Sequence, residues 1–142
     1  MNAPALPRQI CGHPPNAGED PLTALRALQR QTGAQAMALV TCVGSLTRAV
    51  IRHADQPDST SYQGHFEITS LVGTIDPAGQ HLHLTIADSK GRAFGGHLLP
   101  GSQVYTTAEI VVVILEGLTF NRAPCPLSGC NELVVHKTPD KG

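Results

Sequence analysis

Three histidines, His81, His83 and His97, are the residues of this chain whose type and spacing best suit chemistry. Neutral imidazole is the commonest ligand of zinc and related divalent transition metals. Residues of a strand alternate faces, so in Gln80 to Asp88 the positions His81, His83, Thr85 and Ala87 share one face, and Leu82, Leu84 and Ile86 the other. The two imidazoles then stand about 7 Å apart at their Cβ atoms, within reach of a single ion. A turn at Ser89-Lys90-Gly91 brings the chain back, and Gly95-Gly96 allow close backbone approach, which places His97 alongside the pair. Three histidines leave a fourth coordination position open, as in catalytic metal sites, whereas closed structural sites use four protein ligands. Glu67, Asp88 and Glu109 are candidates to orient the rings, provided their strands lie adjacent. An H-x-H pair on a strand equally fits polar residues on a solvated or inter-subunit face. His13, His53, His65 and His136 show no such grouping and read as surface residues.

Other chemistry is sparse. Cys125 and Cys130 stand in C-x4-C spacing, but no second Cys/His pair with finger spacing follows, so they read as two reduced loop thiols. Cys11 and Cys42 sit beside apolar residues and read as small core residues. Ser45, Ser70 and Ser102 lack a G-x-S-x-G setting, and neither a P-loop nor G-x-G-x-x-G occurs. Glu67 and Glu109 interrupt apolar strands and read as outward positions. No catalytic residue is assigned.

The elements that must position the histidines follow from local pattern. Residues 1–17 are proline-rich and read as a flexible tail with a short strand at Arg8 to Gly12; residues 18–136 form one domain and 137–142 a second tail. Asp20 is an N-cap with Pro21 at the first helical position. Leu22, Leu25 and Leu28 recur at helical spacing, Arg26, Gln29 and Arg30 fill the polar side, and Gly33 ends the helix. Strands are predicted at Met37 to Val43, buried on both faces, and, after an interruption at Gly44-Ser45, at Leu46 to His53. Further strands cover Tyr62 to Ile75 with bulges at Gly64 and Gly73, Gln80 to Asp88, Ala93 to Leu98, Gln103 to Glu116, Leu118 to Arg122 and Glu132 to His136. The fold class is α+β, a mostly antiparallel β-sheet with one main α-helix packed on it. One helix leaves part of the sheet uncovered, which invites self-association.

The chain has 142 residues, 41% hydrophobic and only 4% aromatic, so its core draws on Val, Ile, Leu and Ala. Ten Lys and Arg against eleven Asp and Glu give a net charge of −1, and no basic run exists, so phosphate contacts would need a patch assembled by folding or association. No apolar run reaches membrane-spanning length, and the N-terminal residues lack a signal-peptide pattern, which predicts a cytoplasmic protein with no membrane partner.

The middle of the chain resembles a known family. Gly64-His65-Phe66-Glu67-Ile68 with Ser70-Leu71-Val72-Gly73-Thr74 is similar to a G-R-F-E-I-x-S-L-x-G-T stretch. His81-Leu82-His83, Ala87-Asp88, Gly91 and Gly95-Gly96-His97-Leu98 are similar to its H-x-H…AD…G…GGHL stretch. Gly101, Val104 and Thr107-Ala108-Glu109 match the strand that follows. The family is the plants-and-prokaryotes conserved (PPC) domain, which in plants accompanies AT-hook motifs. The resemblance runs from about Gly18 to Val135. It implies an antiparallel sheet with one helix, a homotrimer, and a zinc or other divalent metal site at His81, His83 and His97. Stand-alone bacterial members are commonly described as candidate DNA-binding proteins. The chain departs from the pattern in having no R-G-R-P core and in carrying His65 where the family usually has Arg. The reading is a homotrimeric binding or regulatory module with DNA or a transcription-related protein as partner. The alternative is a small metal-dependent enzyme using the same three histidines.

Overall fold

The computed structural model describes residues 8–11, as backbone, and 15–138. Helix α1 (Pro21–Thr32) begins where expected: Asp20 Oδ1 accepts the amide of Leu22, and Pro21 occupies the first turn. It ends at Gly33, whose φ of 65° lies in the left-handed region that glycine tolerates. Leu22 and Leu25 are buried and Leu28 packs partly against the core. Gln29, expected on the polar side, is instead 5% exposed. Its Nε2 donates to the Ala34 carbonyl, which satisfies the amide inside the fold.

Among the described residues eight strands follow the predicted order: β1 (Arg8–Cys11), β2 (Met37–Arg52), β3 (Thr60–Asp76), β4 (Gly79–Ala87), β5 (Ala93–Leu98), β6 (Gln103–Ile114), β7 (Leu118–Pro124) and β8 (Asn131–Lys137). The first six form one antiparallel sheet in the order β1-β6-β2-β3-β4-β5, and β5 also pairs with the end of β2. The sheet therefore curls, and β2, β3, β4 and β5 close around Leu46, Ile51, Leu82, Leu84, Ile86 and Leu98, all 3% exposed or less. β7 and β8 form a separate two-stranded sheet.

Two expectations for β2 are corrected. Gly44-Ser45 do not interrupt it. Ser45 shares a 2.8 Å hydrogen bond between its Oγ and Thr106 Oγ1, and a Cβ on Gly44 would lie 2.1 Å from the Thr107 carbonyl oxygen. The pair is where β6 presses closely on β2. Nor is the first half of β2 buried on both faces: Val40 and Val43 are 57% and 60% exposed. Of the two predicted bulges, Gly64 lies at the β2–β3 register shift between Leu46 and Arg48, whereas Gly73 pairs in register with Leu82 and the β3–β4 shift falls between Ile68 and Ser70. Cys42 is buried, which pushes its thiol up to about 11. His13 lies outside the described residues, as does the side chain of Cys11.

Candidate metal centre

The alternation predicted for β4 is present: Leu82, Leu84 and Ile86 are buried, while His81 and His83 are exposed on the outer face. β5 returns antiparallel with His97 directly opposite His83. That position is available because β5 is squeezed between β4 and β2. A Cβ on Gly96 would lie 2.5 Å from the Arg52 carbonyl oxygen, so the strand that carries His97 needs glycine there.

The three rings converge. Their centroids are 5.0 Å apart for His81–His83, 5.1 Å for His81–His97 and 5.9 Å for His83–His97. One ring nitrogen from each lies within 4.8 Å of the others. Zinc–nitrogen bonds of about 2.0–2.1 Å in a tetrahedron set nitrogens about 3.3 Å apart, so small side-chain rotations close the set on one ion. The donors suit zinc or a neighbouring divalent transition metal, since all three are imidazoles. Partial burial, above all, holds His81 below the ordinary histidine range, aided by the His83, Arg122 and Arg52 charges. Partial burial likewise lowers His97, with His81, Arg52 and His83 adding to it. Both rings therefore favour the neutral, ligating form.

The carboxylates considered for orienting the rings are not among these groups. Glu67 pairs with Ser45 and Ala87, and Glu109 with Val43. From Ala87 to His83 is about 13 Å along the strand. Asp88 is committed to Arg92, 2.8 Å from its Nε, and to the amides of Lys90 and Arg92.

Two arginines lie beside the histidines instead. Arg52 is the cross-strand partner of His97. Arg122 reaches over from β7, and its Nη2 donates to Thr74 Oγ1 at 2.8 Å; Thr74 is the cross-strand partner of His81. Arg122 Nε also lies 3.4 Å from Asp76 Oδ2. Asp76 is fully buried, and its Oδ1 accepts the amides of Ala78 and Gly79, so it ties the β3–β4 turn to Arg122. A cavity of about 340 Å³ is lined by Arg52, Arg122, His81, His97, Cys130 and Asn131 among others. Nothing in the local pattern distinguishes these two arginines from the other scattered cations; only the curl of the sheet and the seating of β7 join them to the histidines.

The remaining histidines divide. His53, expected at the surface, is half-buried: its Nδ1 is 3.0 Å from the Gly95 carbonyl, and its Nε2 bonds the Tyr62 hydroxyl. His65 is exposed and stacked on Tyr105 at 4.3 Å between centroids. His136 is exposed on β8.

Comparison with known proteins extends the picture. Residues 16–116 match the model of the Plants and Prokaryotes Conserved domain. Bifunctional protein GlmU of Synechococcus sp. (strain JA-2-3B'a(2-13)) is 44% identical over 118 residues, 83% of this chain but 19% of that protein. The chain thus spans about a fifth of the length of that relative. AT-hook motif nuclear-localized protein 4 of Arabidopsis thaliana is 30% identical over 92 residues, covering 58% of this chain and 22% of its own length. Among solved structures, a hypothetical protein from Salmonella cholerae-suis superposes with a TM-score of 0.90 at 37% identity, covering 96% of this chain and 99% of that one. A candidate DNA-binding protein from Bacteroides thetaiotaomicron gives 0.71 at 25% identity, over 85% and 88% of the two chains. The metal-containing protein AF0104 of Archaeoglobus fulgidus shares the fold, with a TM-score of 0.73 at 22% identity over 89% and 93%.

Proposed function

The chain belongs to the Plants and Prokaryotes Conserved domain family, and from that premise we propose that it is a homotrimeric binding module that holds zinc or another divalent transition metal at His81, His83 and His97 and has DNA as its partner. The observation that carries the metal is the convergence of three imidazole nitrogens within 4.8 Å. Elemental analysis of protein purified without chelator tests it. One equivalent of metal per chain, lost in His83→Ala, is expected, and a metal content near zero in the unaltered protein would remove this part of the proposal.

Self-association is supported by Val40 and Val43 on β2 and Val72 on β3, which leave large apolar side chains exposed in the single chain. A solution mass of one chain would rule the trimer out. The DNA reading is supported by the family and by the description of the Bacteroides thetaiotaomicron protein. With a net charge of −1, any grip on phosphates must come from local cations. Phosphate contacts are strongest at low salt, so a mobility-shift titration at low ionic strength is the decisive assay; no retardation there would dispose of DNA as the partner.

A further inference from the structure

We propose that the three-histidine centre takes a small oxyanion, a carboxylate or a phosphate, as its external ligand, clamped between Arg52 and Arg122. The inference rests on the metal reading above and adds a ligand class to it.

Position comes first. Arg52 stands opposite His97 across the β2–β5 pairing, and Arg122 is anchored on Thr74, opposite His81. Two guanidinium-bearing residues thus flank the imidazole group from different elements, and both line the same cavity as His81 and His97. The fold spends a buried carboxylate on holding one of them: Asp76 is fully buried and bonds both the turn amides and Arg122.

Charge comes second. Three neutral imidazoles bring no negative charge to a divalent ion, and among the described residues no carboxylate joins them in the cluster. Asp76 offsets Arg122 alone. Arg52 makes one long contact, 3.5 Å from its Nη1 to the Gln56 carbonyl, and no carboxylate lies within ion-pair distance of it among the described residues. Among the described residues, then, nothing in the cluster compensates the two charges a divalent ion would bring or the charge of Arg52. A cation held beside an unpaired guanidinium is repelled by it, and an anion that enters between them relieves that repulsion. An oxyanion satisfies both: one oxygen fills the coordination position that three histidines leave open, and another accepts from a guanidinium fork, whose planar geometry fits carboxylate and phosphate.

Size comes third. The cavity of about 340 Å³ is walled on one side by the β7–β8 hairpin at Cys130 and Asn131 and on another by the β3–β4 turn at Ala78 and Gly79. The cavity is open to solvent on its remaining side, and a small anion can enter it between the two guanidinium groups.

The test uses the full chain loaded with cobalt(II), whose visible absorption bands report its coordination. Inorganic phosphate and acetate are titrated separately, and metal content is measured in every sample. A saturable band shift with at least one of the two anions is expected. Arg52→Gln should weaken it at least tenfold with metal content unchanged, and Arg52→Lys should restore part of the loss. Arg122→Gln gives a second variant on another element. No shift with either anion, or equal affinity in the wild type and both Gln variants, would overturn the proposal. So would a shift produced by a short DNA duplex but by neither small anion. If the wild-type chain takes up no cobalt, the metal reading fails by itself. Calorimetry of phosphate and acetate on the metal-free protein then decides the clamp: Arg52-dependent binding keeps it, and no binding ends it.

Discussion

The β4–β5 hairpin and the β7–β8 hairpin wall the same cavity, yet the fold holds them in different ways. β4 buries Leu82, Leu84 and Ile86 beneath its histidines, and β5 is paired on both sides, to β4 and to β2. Among the described residues, β7 and β8 pair only with each other. Their anchors are few: Phe120, 5% exposed, whose amide donates to the Gln35 carbonyl, and Arg122 on Thr74 and Asp76. Every described residue of β8 except Val134 is exposed. The groups that would touch a metal thus ride on the six-stranded sheet, and one of the charged groups beside them rides on the separate hairpin, which has fewer pairings to the rest of the fold. Binding sites need precise ligand geometry, whereas a guanidinium acting partly through charge tolerates more motion.

Phe120→Ala should loosen the β7–β8 hairpin and leave the β4–β5 hairpin in place. Removing a buried phenyl ring costs about 3 kcal/mol or more, and here the loss should fall on the hairpin. Hydrogen exchange should quicken across β7 and β8 while the amides of β4 and β5 keep their protection. Loss of protection in both hairpins together would show a single cooperative unit and erase the distinction.

His83→Ala separates the outer face of β4 from its inner one. The side chain is exposed, so thermal stability of the metal-free protein should barely change. Metal affinity should fall by more than about a hundredfold, roughly 2.7 kcal/mol, because one of three ligands is gone. A matching fall in stability without metal would mean that the imidazole serves packing.

Asp76→Asn addresses the hairpin's charged anchor. The amide can still accept from the β3–β4 turn, but the charge facing Arg122 is lost. Because Arg122 loses an anchor that fixes its direction, oxyanion affinity, read from the cobalt bands, should fall about tenfold, or 1.4 kcal/mol, with metal content unchanged; a rise would mean that Asp76 acts by offsetting the guanidinium charge. Unchanged affinity would show that Arg122 is positioned by Thr74 alone.

The sequence made one of these hairpins legible and left the other nearly mute. A period of two in Gln80 to Asp88 places His81 and His83 on one face, and the turn with the double glycine returns His97 to them, because each of these signals is local. Arg52 and Arg122 are seventy positions apart, and what joins them to the histidines is the β2–β5 pairing and the seating of β7 on β3. Neither leaves a local trace. The same holds for Gln29, whose polar side chain reads as solvent-facing until its bond to the Ala34 carbonyl is seen. Val40 and Val43 err in the other direction: an apolar run signals burial, but whether a second chain supplies it is not written in the run.

Changing pH should have a modest effect that originates at the histidines. Partial burial and neighbouring positive charge hold His81 and His97 below the ordinary value of 6.5, so the folded chain binds fewer protons there than the unfolded chain. Stability then rises with pH wherever the unfolded state binds more protons. The contribution is fully present above 6.5, where both states are neutral, and is lost as pH falls through 6.5 and then through the lowered folded values. Metal-free protein should accordingly melt at a lower temperature at pH 5.5 than at pH 7.5, modestly, because both rings keep contact with water. Other groups titrate over the same range, so the reference is His81→Gln/His97→Gln, which should show a flatter dependence. Identical slopes in the two proteins would mean that burial, with the neighbouring positive charges, does not hold these two imidazoles below 6.5 in the folded chain.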